Sequence, residues 1–223
     1  MAKTPVYLEI GRKRVFAGSV DWPGWTRSAR DEDAAIEGLL AYAPRYAKVL
    51  RGIRLDFGPP SEITALTIVE RLTGNATTDF GAPDIPPSED AKSIPTRERE
   101  RFEKILKACW RAFDRAADAA EGKALSKGPR GGGRDLDGIV DHVLGADEGY
   151  LSRLGAKPPK GAPRDRAAQL RATILDTLES VARDGVPEGP RGGKRWTPRY
   201  FVRRSVWHVL DHAWELEDRT PRG

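Results

Sequence analysis

A chain of 223 residues with 39% hydrophobic and 32% charged side chains carries enough apolar material for a core under a heavily ionised surface, which excludes a disordered chain and allows two small domains. The formal net charge of +5 is mild and acids are interspersed among the bases, so global charge does not announce nucleic-acid binding. No apolar stretch approaches the ~20 residues that cross a bilayer, and the N-terminus lacks the hydrophobic centre of a secretory signal, so a cytoplasmic protein without a membrane partner is expected.

In chain order, Val6 to Ile10 and Val15 to Val20 flank Gly11-Arg12-Lys13-Arg14 and predict two short strands joined by a turn. Asp21-Trp22-Pro23-Gly24-Trp25 breaks the sheet pattern. A helix follows, capped by Ser28 or Asp31, with Ala34, Ala35, Leu39, Ala41 and Tyr42 on its apolar face and Pro44 as a point where it kinks or restarts. Ile63 to Leu72 is rich in β-branched residues and predicts a third strand. These elements make residues 1–73 a small α+β domain of β-hairpin and helix. Gly74 to Pro95, with four prolines and two glycines, reads as an interdomain linker over 74–95.

Residues 96–223 change character to long helical patterns, over Thr96–Glu121 and about Asp135–Leu154, Asp165–Arg183 and Pro198–Asp218. Four amphipathic helices need one another to cover their stripes, which predicts a four-helix bundle. Gly131-Gly132-Gly133 ends a basic loop, and Gly155 to Arg164 spans about 31 Å if extended in polyproline geometry, either a crossing that runs the length of a helix and gives up-down-down-up topology or a loose surface loop. The single cysteine, Cys109, excludes an intrachain disulfide and reads as a small buried hydrophobe beside Trp110.

All three histidines fall on these helices. His208 and His212 are four apart, so both rings leave one face about one turn from each other, a spacing that lets one ion bind two imidazoles. They flank an apolar stripe of Val202, Val206, Val209, Ala213 and Leu216. His142 likewise lies to one side of the second helix's stripe, on a flank shared with Gly138, Gly145 and Gly149, which predicts either close helix approach or an open cavity. Together His142, His208 and His212 are the candidate ligands of a divalent metal. Zinc is the default ion, with nickel, iron or copper also suited to imidazole. Three imidazoles leave positions for water or substrate. Asp141, Asp211 and Glu215 are candidate acceptors for the imidazole N–H groups. No acid or base is singled out among Glu148, Tyr150 and Glu215. Between Arg191 and Arg204 stand six basic residues and no acid, either a solvated loop or an attractor for an anionic substrate. Trp207 and Trp214, seven apart, are expected to pack away from the histidines.

The motifs Ile-Val-Asp-His142-Val-Leu-Gly-Ala-Asp-Glu and Trp207-His208-Val-Leu-Asp-His212-Ala-Trp-Glu215 make the region from Thr96 to Arg219 resemble the DinB-like superfamily of metal-binding four-helix bundles. That resemblance implies ligands at the three histidine positions and, in several relatives, thiol-dependent transferase or isomerase chemistry on a small molecule. Val6 to about Leu50 resembles the HicB-like family in its hairpin, in the turn Val20 to Trp25 and in the helix from Asp31 to Leu39, departing at Trp25, where a small residue is usual. It implies an accessory domain. The rival reading is a HicB-like regulatory or interaction protein with a structural metal. No helix-turn-helix or ribbon licenses DNA recognition. Oligomeric state, a dimer included, is left open.

Overall fold

The computed structural model describes residues 3–128, 133–160 and 165–221, apart from the Arg191 side chain. Gly131, Gly132 and the segment Gly161 to Arg164 therefore lie outside the described residues. The protein is α+β, and it divides into two compact units, 1–92 and 93–223. No helix among the described residues is long and apolar enough to cross a membrane.

In the first unit, strands β1 (Thr4–Ile10), β2 (Val15–Ser19), β3 (Thr26–Ala29) and β4 (Leu66–Thr73) form one mixed sheet in the order β3-β2-β1-β4. β1–β2 and β2–β3 pair antiparallel, whereas β4 returns parallel to β1 after the crossover through helix α1 (Glu32–Val49). The hairpin and the later strand match the sequence, and β3 is an addition: Thr-Arg-Ser-Ala has no apolar alternation because it forms an edge, with three of its four residues half-buried. Gly18 faces Tyr7 across the β1–β2 ladder, where an added Cβ would lie 2.7 Å from the tyrosine ring. Asp31 caps α1 by accepting from the Ala34 N–H at 2.9 Å, and Pro44 is carried inside the helix without ending it. Trp25 is wholly buried. Its indole N–H donates to Leu39 O at 2.7 Å, and its ring meets Phe57 edge-on at 5.2 Å.

The stretch read as a linker is corrected by the structure over most of its length. Residues 74–92 belong to the first unit and include helix α2 (Ala76–Phe80), capped by Asn75 and ended by Gly81 in the left-handed region at φ 117°. What anchors it is Glu9, a wholly buried acid in β1. Its carboxylate accepts from Thr78 Oγ1 at 2.5 Å and from the backbone N–H groups of Asp84 (2.9 Å) and Ile85 (3.1 Å). Burial raises the Glu9 pKa, and these donors oppose the rise. Composition alone reads as loop here because the order comes from a single acid 65 or more residues away along the chain. Glu9→Ala leaves three donors without their acceptor, and we expect urea unfolding to show a loss of about 2–4 kcal/mol. An unchanged midpoint would refute this role.

In the second unit, α3 (Thr96–Ala120), α4 (Leu136–Leu154), α5 (Arg166–Asp184) and α6 (Pro198–Arg219) pack on one another through Phe102, Ile105, Leu106, Ile139, Leu151, Ile174 and Val206. Cys109 is fully buried, and burial pushes its thiol pKa up, as expected of a small core hydrophobe. The burial of α6 extends beyond its apolar stripe. Every residue from Arg199 to Leu210 is buried, so this stretch is covered all round; of the two histidines flanking the apolar stripe, His208 is buried and His212 half-buried. The reason is that α6 contacts α3, α4 and α5 at once.

Polar ties fix the ends of these helices. Arg199 at the start of α6 pairs with Glu98 at the start of α3 and donates to Ser93 O. Arg219 at the end of α6 donates to Ser126 O and Arg134 O, at 2.8 Å each, ahead of α4. Trp196 N–H donates to Arg153 O at 3.0 Å, joining the approach to α6 to the end of α4. Arg171 early in α5 makes a two-pronged pair with Asp114 late in α3, at 2.7 and 2.6 Å. Arg166 at the start of α5 bridges Asp141 and Glu148 of α4.

Candidate metal centre

The two helices that carry the histidines are each defined by a cap. Asp135 Oδ1 accepts from Gly138 N–H at 2.8 Å to start α4, and Thr197 accepts from Tyr200 N–H at 3.2 Å to start α6, with Pro198 in the first turn. Ties at both ends then hold α6 against α4, through Arg219 to Arg134 O and through Trp196 and Arg195 to Arg153 O and Ser152 O. Between the ties, His142 of α4 faces His208 and His212 of α6.

The three rings converge. His142 Nε2 lies 3.2 Å from His208 Nε2, and the ring centroids are 4.9, 4.9 and 4.7 Å apart. One nitrogen from each ring falls within 4.8 Å of the others. Two imidazole nitrogens sharing an ion at about 2.0–2.1 Å sit about 3–3.4 Å apart, so the His142–His208 spacing fits a common ion. His212 Nδ1 is 2.7 Å from Glu215 Oε2, which leaves Nε2 as its ligand atom. The donor set, three imidazoles and no thiolate, suits a borderline divalent ion. His208 is 6% exposed and the other two are half-buried, so the cluster is sunk in the helix packing but reachable from one side.

Electrostatics favour the deprotonated rings that a metal requires. Burial lowers the His208 pKa well below the ordinary imidazole value, helped by the charges of His212, Arg204 and His142. Burial, then His212 and Arg134, also lowers that of His142. Glu215 is held down at about 2, first by its hydrogen bond with His212 and also by Arg219, whose Nη1 donates to Oε1 at 2.6 Å. Glu215 is thus a fixed carboxylate between a histidine and an arginine. Glu215→Gln keeps the shape and removes the charge, and we expect metal affinity to fall about 10- to 100-fold by calorimetry. Equal affinities would mean that Glu215 serves packing alone.

Of the other residues singled out in the sequence, Asp141 and Glu148 turn to Arg166 and not to the histidines. Asp211 is half-buried on α6, and Glu215 lies against His212. Tyr150 stands with its ring 5.8 Å from that of His208. The glycine flank is open at two of its three positions: a Cβ at Gly149 meets nothing within 4 Å and one at Gly145 meets only the Arg166 guanidinium at 4.0 Å, whereas one at Gly138 would lie 2.9 Å from the capping Asp135 Oδ1 and 3.1 Å from Arg134 Cβ. Trp207 is nearer the centre than expected, 6.1 Å from the His208 ring.

The basic run resolves residue by residue. Lys194 is exposed, Arg195 and Arg199 bind carbonyls, and Arg203 and Arg204 are buried in α6. Sequence reasoning took Arg204 only as one member of the basic run and passed over Arg219, although the i, i+4 series Tyr200, Arg204, His208, His212 aligns one face of the helix. Comparison of the chain with protein-family models, curated proteins and solved structures gives no match.

Proposed function

We propose that the C-terminal unit is a metal-dependent enzyme of the DinB-like type, acting on a small molecule at a divalent ion held by His142, His208 and His212. In this reading the ion is zinc, with nickel or iron as substitutes, and the reaction is a transfer or isomerisation that uses a low-molecular-weight thiol. The observation that carries it is the convergence of three imidazole nitrogens within 4.8 Å from two helices, with no other histidine in the chain. The ties between helix ends support an up-down-down-up bundle. Arg199–Glu98 brings the starts of α6 and α3 together, Trp196–Arg153 and Arg219–Arg134 set α6 against α4 in opposite sense, and Arg171–Asp114 does the same for α5 and α3. The strand–strand–strand–helix–strand order of the first unit is compatible with a HicB-like accessory domain.

When bound, such an ion supplies a Lewis acid with positions open to a thiol or to water. The chain's own residues prepare for it. Glu215 accepts the Nδ1 proton of His212 and so aims Nε2 inward, while burial keeps His142 and His208 neutral. The test is elemental analysis of the purified full chain together with the visible spectrum of its cobalt-substituted form. One ion per chain with a spectrum that shifts on adding a small thiol is expected. Absence of stoichiometric metal defeats the proposal, and a bound ion whose spectrum ignores thiols favours the structural-metal alternative.

A further inference from the structure

We propose that Arg204 anchors the carboxylate of a small anionic ligand at the histidine centre. The inference deepens the preceding reading, since it assumes that the histidine cluster is a ligand site, and it names the chemical class of what binds there. Arg204 is 8% exposed, its Nη1 is buried without a hydrogen-bond acceptor, and no carboxylate pairs with it among the described residues. Its guanidinium instead lies against two aromatic faces, 4.6 Å from the Trp207 ring centroid and 5.3 Å from that of Tyr150. Stacking of this kind orients the plane of the guanidinium but leaves its N–H edge to find an acceptor.

A buried cation with an unsatisfied donor is costly, and Arg199 and Arg219 at the two ends of α6 avoid that cost. Arg199 has Glu98 and Ser93 O, and Arg219 has Glu215, Ser126 O and Arg134 O. Arg204 alone of these lacks an anion, and it stands one helical turn from His208 on the same face of α6. Neighbouring side chains at that spacing are about 5–6 Å apart. A ligand with its carboxylate on Arg204 therefore has its other end directed along the face that carries the histidines. Tyr150 and Trp196, whose rings are 5.1 Å apart, offer its body an apolar wall. A monoanion is favoured over a phosphate dianion because one guanidinium neutralises one charge, and the second would be left in a desolvated site.

Calorimetry on the full chain with benzoate and with inorganic phosphate tests this, using zinc-loaded and chelator-treated protein. Benzoate should bind the wild type, and Arg204→Gln should weaken it about 10- to 100-fold, the effect of losing a charge-assisted hydrogen bond. Arg204→Lys should fall between, because it keeps the charge and loses the fork. The Arg204-dependent part should persist without zinc, so failure of the metal reading and failure of the anchor are separable. Circular dichroism checks each variant's fold, and the lysine variant decides the matter if the glutamine variant does not fold. No benzoate binding, or affinity indifferent to Arg204, overturns the proposal. Tighter phosphate binding with the same Arg204 dependence overturns the assignment to carboxylates.

Discussion

His208→Ala is expected to abolish stoichiometric metal binding while leaving the helices folded, with affinity falling by more than the roughly 100-fold attached to a partner of a ligand. His208 supplies the nitrogen closest to a second ligand, 3.2 Å from His142 Nε2, and it is the most buried of the three rings. Truncation removes a ring whose Nδ1 finds no hydrogen-bond partner among the described residues, so part of the packing loss is offset by relief of a buried, unsatisfied group. The clearest readout is linkage. An ion present at a thousand times its Kd stabilises the native state by about 4 kcal/mol, and thermal melts of the wild type should show that gain while the variant shows none. A variant that still melts higher with zinc places the ion elsewhere.

Asp147 gives the second large effect, on stability against pH. It sits on α4, 2% exposed, and burial pushes its carboxyl up to about 7 from 3.8, with Arg171 and Trp110 only partly opposing. Below about pH 4 the folded and unfolded chains both carry the proton. Between about 4 and 7 the unfolded chain releases it and the folded chain keeps it, so stability falls as pH rises, by about 1.4 kcal/mol per unit and about 4 kcal/mol across the window. Above that both forms are ionised and the loss is complete. Asp147→Asn removes the titration. Urea unfolding should find the variant and the wild type alike near pH 4, with the variant about 4 kcal/mol more stable near pH 8. Parallel curves across that range would exclude the effect.

The helices of the second unit were legible almost to the residue, because their signals are local. Asp135, Thr197-Pro198 and Gly155 mark ends in the chain itself, and three- and four-residue spacing marks the faces. The histidine cluster was legible for the same reason, since His208 and His212 declare a shared face and His142 is the only other histidine in the chain. Strand β3 was not, because an edge strand of Thr-Arg-Ser-Ala buries too little to show a period. Nor was the order in 74–92, which depends on the buried Glu9 of β1. The all-round covering of α6 was not legible because periodicity describes one helix at a time, whereas covering from Arg199 to Leu210 requires three neighbours together. Arg204 was hidden within a basic run whose members look alike in sequence and differ only in their partners.

His142 and His208 are separated by 66 residues, and two of the three rings lie on α6. During synthesis, a nascent chain that has emerged only as far as α5 owns one imidazole and cannot hold the ion. In the proposed reading, capture of a metal therefore waits for α6 to be made and packed against α4. On that reading, the timing of metal uptake during refolding reports the packing of α6 directly.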